Sequence, residues 1–231
     1  MSLPIICYHK VGPVGINGRF LNVEAKTLES HVRYFKRRGF RFLTARELGY
    51  GGLPSRAVCL TFDDCYTTTI EYGFPVLEEL DVRATFYAVT GLVGTASTWD
   101  GAQASSLCKW EALRILHRSG HEVGNHTQTH KALGDMDEDS QIRELKGAHE
   151  ELLANGITAE TACFPYGSMN VGTKHALDAL GYKVGFALGK RLAEPTDDRR
   201  TLPRVVVAYS DKLPLFIYRL FIRPALRRKL A

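Results

Sequence analysis

The chain has 231 residues, 45% hydrophobic and 24% charged, with a formal net charge of +5. This composition excludes a disordered or collagen-like chain, and the interspersed charges leave no basic face for nucleic acid. Five cysteines without CxxC spacing exclude a disulfide framework and fit a reducing compartment, and no run reaches the ~20 apolar residues of a spanning helix.

The length suits one α/β domain, and apolar runs alternating with helical patterns favour a mostly parallel sheet wrapped by helices. The start, Met1 to His9, lacks the basic region and long apolar run of a signal peptide, so a cytoplasmic location is expected. Pro4 to Tyr8 reads as a strand. Thr27 to Arg38 reads as a helix with Leu28, His31, Val32 and Phe35 on one face and Gly39 as its stop. Thr44 to Glu47 has capping-box spacing and opens a short helix. Ala57 to Phe62 is a buried strand, Ile70 to Leu80 a helix and Ala84 to Val89 a strand. A helix over Lys109 to Ser119 precedes a strand over His121 to Gly124, and Asp137 to Leu153 reads as a charged surface helix. Ala162 to Phe164, Val184 to Ala187 and Leu202 to Val207 complete the expected strands.

In such architectures chemistry gathers at the carboxyl ends of the strands. His9, Asp63 with Asp64, His126 with His130, and Tyr166 all follow expected strands. Two adjacent carboxylates repel unless a cation neutralises one of them, and the other is then free to act as a base. Taken alone, Asp63-Asp64 favours a solvated turn or a helix N-cap. His126 and His130 stand at i and i+4, which on a helical turn puts both imidazoles on one face. One Asp with two His forms a facial ligand set that leaves positions open for water and substrate.

Leu60-Thr61-Phe62-Asp63-Asp64, Gly124-Asn125-His126-Thr127-Gln128-Thr129-His130 and Phe164-Pro165-Tyr166-Gly167 stand in the order found in polysaccharide deacetylases. The chain resembles that family, also called the NodB-homology domain or carbohydrate esterase family 4, from about Pro4 to Val207. The opening Cys7-Tyr8-His9 is similar to the branch that includes poly-N-acetylglucosamine deacetylases. The resemblance implies a single-domain, distorted (β/α)7-type barrel over residues 1–210. It implies one divalent metal, commonly zinc, on Asp64, His126 and His130, with Asp63 as general base. His9 is then the general acid, since no histidine near the C-terminus offers itself, and the Tyr166 backbone N–H holds the oxyanion. The implied reaction is hydrolysis of the N-acetyl group of a polysaccharide or lipid-linked glycan. A related amidase with a different small amide, or a retired glycan-binding module, are the alternatives.

The sequence departs from the family pattern in places. Cys65 replaces the usual glycine after the Asp pair, where a side chain would strain the turn, narrow the pocket or add a stray ligand. No arginine precedes Pro165, so Arg204 is the candidate to orient Asp63, with a surface position as its alternative. Trp99 and Trp110 are candidates to line a sugar groove or to pack in the core. Residues 211–231 lie outside the likeness. Arg219, Arg223 and Arg227 form a stripe beside Phe216 and Leu220, followed by Arg228 and Lys229, which suits either peripheral contact with the inner face of a membrane or packing on the barrel.

Overall fold

Side chains along the strands alternate between two compartments, one inside a ring of strands and one between the ring and its helices. The computed structural model describes residues 2–224. In chain order it comprises β1 (Ile5–Tyr8), β2 (Lys10–Val11), α1 (Val14–Asn17), β3 (Asn22–Val23), α2 (Ala25–Arg37) and β4 (Arg41–Leu43). Then follow β5 (Ala57–Phe62), α3 (Phe74–Glu79), β6 (Thr85–Ala88), α4 (Trp110–Arg118), β7 (Glu122–Asn125) and α5 (Glu138–Ala154). The chain continues through β8 (Thr161–Cys163), α6 (Val171–Ala179), β9 (Val184–Gly189), β10 (Leu202–Val206) and α7 (Leu213–Ile217).

Among the described residues, β1, β10, β9, β8, β7, β6 and β5 pair in that order, and β5 pairs back to β1. All these pairings are parallel, so the ring is the expected (β/α)7-type barrel. It is distorted where strands splay. β7 meets β8 at Asn125↔Ala162, and β5 meets β6 only over Thr61 and Phe62. There β4 lies against the first half of β5, from Ala57 to Cys59. The three residues of β4 are too short to show a period, and the sequence reading missed them. It also missed the small parallel pair β2–β3.

The interior of the ring is apolar near Ile5, Cys59, Tyr87 and Phe186. A polar layer crosses it at Glu122, whose carboxylate accepts hydrogen bonds from Thr161 (2.6 Å), Thr85 (3.1 Å) and the Arg46 N–H (2.8 Å). The outer compartment holds Phe62, Phe86, Leu113, Leu145 and Leu177 against the helices. The capping box at Thr44 and Glu47 is present. The expected helix after Ile70 opens instead with a wide turn over Thr69–Gly73, which leads into Pro75, a residue with no N–H to give.

The C-terminal segment packs on the barrel as far as it is described. Phe216 stacks on His31 at 3.8 Å between centroids, Leu220 is buried, and Phe221 lies beside Tyr34 and Phe35. Arg219 pairs with Asp211 and donates to the Val206 carbonyl. Arg227, Arg228 and Lys229 lie outside the described residues. Among those described, no helix is long and apolar enough to cross a membrane.

Candidate active site

The strand β5 ends inside the mouth of the ring, and its last inward position is continued by Asp63. The Asp63 N–H donates to the Tyr8 carbonyl at 2.9 Å, which ties this turn to the end of β1. Arg204 reaches Asp63 from the middle of β10 rather than from a strand end, and its side chain is wholly buried. Its Nη1 donates to Oδ1 at 2.6 Å and its Nη2 to Oδ2 at 2.7 Å, and Nη1 also donates to Thr61 at 3.0 Å. The surface alternative for Arg204 is therefore excluded. Two thiols complete the cradle, Cys7 donating to Oδ2 at 3.3 Å and Cys163 to Oδ1 at 3.5 Å. Burial pushes both thiols well up, so they stay protonated donors. Burial alone would raise the Asp63 carboxyl, but the Arg204 guanidinium and then His126 outweigh it and hold it at about 2.

Asp64 begins a left-handed turn, with φ of 68° there and 55° at Cys65. Such angles cost a non-glycine residue roughly 1–3 kcal/mol, so the expected strain at Cys65 is real. Its side chain nevertheless belongs to the outer core, near Cys108, and does not line the cavity. The expectations of a narrowed pocket and a stray ligand from Cys65 are corrected accordingly.

The segment from His126 to His130 is not the expected helical turn. Thr127 and His130 take positive φ (65° and 61°), and this loop, not helical spacing, brings the two rings together. It is held from below: Asn125 accepts from the Thr127 N–H at 2.8 Å and donates to the Leu145 carbonyl at 2.8 Å. Glu144 of α5 accepts from the N–H groups of Gln128 (3.1 Å) and Thr129 (2.9 Å) and from the Thr129 hydroxyl (2.6 Å). As a result Nε2 of His126 and Nε2 of His130 each lie 3.2 Å from Asp64 Oδ1. That oxygen is buried and makes no hydrogen bond.

Three electron-pair donors facing one buried point fit a divalent cation, which would neutralise the carboxylate and fill both imidazole lone pairs. Burial would raise Asp64, yet the two histidines bring it well below the ordinary range. Burial lowers His130, and it would also lower His126 were it not overcome by Asp64 and Asp63. Two other donor groups among the described residues, Cys7-His9-Asp63 and Asp63-His126-Cys163, are less suited. Both use Asp63, whose charge Arg204 already balances, and both would place a second cation beside a buried guanidinium.

His9, Asp63, Asp64, His126 and His130 line one cavity of about 290 Å³. Its rim carries Phe20, Trp99, Tyr166 and Leu188, with Phe20 and Tyr166 about 60% exposed. Burial lowers the His9 pKa, opposed by Asp63 and Asp64. Tyr166 has φ of 60°, and its ring stands at 67° to that of His130. Trp110, by contrast, packs on the outer core at the start of α4. His121 is buried between Phe74 and Phe86 and accepts from the Ala84 N–H, so it supports the fold rather than lining the site.

Cys7, Cys163, Asn125 and Glu144 were not foreseen as parts of the site. One signal was present: on α5 the buried positions Gln141, Glu144, Leu145, Ala148 and Leu152 form a helical stripe, and a carboxylate within such a stripe asks for donors. The thiols carry no comparable spacing.

The sequence profile of the polysaccharide deacetylase family matches residues 51–185. Over 201 residues, 81% of this chain and 68% of the relative, the chain is 26% identical to poly-beta-1,6-N-acetyl-D-glucosamine N-deacetylase of Staphylococcus aureus. Among solved structures, IcaB from Ammonifex degensii superposes with a TM-score of 0.79 at 25% identity, covering 93% of this chain and 95% of that one. The Streptococcus pyogenes deacetylase PplD, determined in complex with acetate, superposes at 0.81 with 22% identity over 95% of this chain and 98% of that one, a likeness of fold.

Proposed function

Since this chain belongs to the polysaccharide deacetylase family, we propose that it is an N-deacetylase that hydrolyses the acetamide of N-acetylglucosamine units in a glycan. The observation that carries the reading is the convergence of Asp64, His126 and His130 on one point beside an Arg204-clamped Asp63. A divalent cation held by those three residues, zinc being the one their donor atoms suit, would polarise the acetyl carbonyl and acidify a water.

The other groups divide the proton work. Asp63 is ionised throughout the physiological range and takes the proton of the attacking water, while Arg204 fixes the plane of its carboxylate. His9 gives a proton to the departing nitrogen. Burial disfavours its protonated form, and the neighbouring Asp63 and Asp64 work against that. The Tyr166 backbone N–H steadies the developing oxyanion. A C–O bond forms, the C–N bond breaks, and acetate and a free amine leave. Phe20, Trp99 and Tyr166 offer aromatic surface to the apolar faces of pyranose rings. For the C-terminal segment, contact of Arg223 and the residues after it with an anionic membrane is part of the proposal, and with it the inner-face location. Cosedimentation with phosphatidylglycerol vesicles tests that part.

The decisive experiment measures bound metal and acetate release from N-acetylglucosamine oligomers in the wild type and in Asp63→Asn. About one zinc per chain in both, with acetate release lost in the variant, is the expected result. Metal without acetate from any acetylated glycan removes the substrate assignment. No metal after zinc is supplied removes the reading of Asp64, His126 and His130.

A further inference from the structure

The two candidate ligand histidines present the same face to Asp64 but are held differently behind. Nδ1 of His126 lies 2.9 Å from the Cys163 carbonyl oxygen, the usual means of fixing the tautomer and orientation of a ligand imidazole. Nδ1 of His130 is buried and has no hydrogen-bond partner. Aromatic rings flank this imidazole instead. The Trp99 indole stacks on the His130 ring at 3.7 Å between centroids and 25° between planes, and Tyr166 meets it edge-on at 4.9 Å.

Trp99 is itself fixed by a polar chain. Its Nε1 donates to the Tyr66 hydroxyl at 3.2 Å, and that hydroxyl donates to Asp100 Oδ2 at 2.8 Å. The same oxygen accepts from Ser97 Oγ at 2.7 Å and pairs with Lys10 Nζ at 3.0 Å. The Lys10 side chain is only 3% exposed, and its ammonium also faces the Tyr66 ring at 4.7 Å. A lysine is seldom buried so fully unless its charge is used. The segment that carries Trp99 and Asp100 is pinned at its base by the bridges Ala96↔Ser106 and Tyr66↔Leu107, so the strap and its anchor form one unit.

We infer that Trp99 is a positioning residue for His130, locked in place by Tyr66, Asp100 and Lys10, and that this stack takes over the orienting task that a hydrogen bond performs for His126. The inference rests on reading His130 as a metal ligand. It gives the buried Lys10–Asp100 pair a task in metal affinity rather than in contact with substrate. Lys10 follows His9 directly, so the strap is anchored beside the proposed acid.

The test uses the whole chain. Zinc affinity is measured by competition with a chromophoric chelator in the wild type, Tyr66→Phe, Trp99→Leu and Trp99→Phe. Quenching of Trp99 emission by cobalt(II) is followed in a Trp110→Phe background. Tyr66→Phe and Trp99→Leu are expected to weaken zinc by about 10- to 100-fold, the range for loss of a group supporting a ligand. Trp99→Phe, which keeps a ring to stack, is expected to recover most of that loss. Acetate release by Tyr66→Phe is expected to return toward the wild-type rate at saturating zinc, and cobalt to quench Trp99 in step with occupancy. Wild-type zinc affinity in Tyr66→Phe and Trp99→Leu would overturn the inference while leaving the metal site standing, as would Trp99→Phe binding no better than Trp99→Leu. Tyr66→Phe keeps the question open to decision should Trp99→Leu not fold. A wild type that takes up neither zinc nor cobalt removes the metal site and the inference together.

Discussion

A guanidinium that meets both oxygens of a carboxylate within a barrel keeps the acid ionised and keeps its plane from turning. Arg204 does both for Asp63, and lysine, a point charge without the fork, would do only the first. Arg204→Lys is therefore expected to lower kcat by about 100-fold, the scale of a misplaced catalytic group, with bound zinc unchanged. Arg204→Met leaves a buried carboxylate with no cation and is expected to destabilise the fold by about 3–5 kcal/mol. Urea denaturation beside an acetate assay separates the two effects. At this scale the sequence named Arg204 as a candidate because no arginine precedes Pro165 and Arg204 stands in an expected strand. It gave no hint of Cys7 and Cys163, since a thiol donor is chosen by distance in space and leaves no spacing along the chain.

Helix α2 turns a histidine into the core, where it stacks on Phe216 and shares a 3.0 Å contact with the Tyr8 hydroxyl. Burial lowers the His31 pKa from 6.5 to about 4 despite opposition from Asp211. Between those values the unfolded chain binds a proton that the folded chain refuses, so stability falls as pH drops from about 6.5 to about 4. The full contribution is present above that window, and no more is lost below it. His31→Leu is expected to remove a loss of at most about 3 kcal/mol, seen as a pH-dependent gap between wild-type and variant urea midpoints at pH 7.0, 5.5 and 4.5. A gap that does not change with pH would refute this. The apolar face of α2 was legible because its period is long enough to read. The loop of His126 and His130 was misread as helical because i, i+4 spacing is all that sequence displays. The positive φ at Thr127 and His130 leaves no mark in spacing, and the Glu144 carboxylate that accepts from the Thr129 N–H comes from another element.

Taken whole, the barrel gathers a carboxylate and two imidazoles from separate strand ends, and bringing them together without a cation leaves Asp64 Oδ1 buried and unsatisfied. Zinc is therefore expected to stabilise the folded chain, by about 2.7 kcal/mol at a hundredfold excess over Kd, and Asp64→Asn to abolish the rise in Tm. Calorimetry with and without chelator measures it. The closed ring was legible from the order of three motifs, while its splayed seam at β4 was not, because strand pairing is decided between distant segments. That distance has a consequence in time. Asp63 waits for an arginine that lies 141 residues further along the chain. During translation the metal ligands leave the ribosome well before β10 does, so an unfinished chain has its ligands but no clamp on its base. Hydrolytic activity should therefore report that synthesis has reached the closing strand, and prematurely terminated chains should be inert even where they still bind zinc.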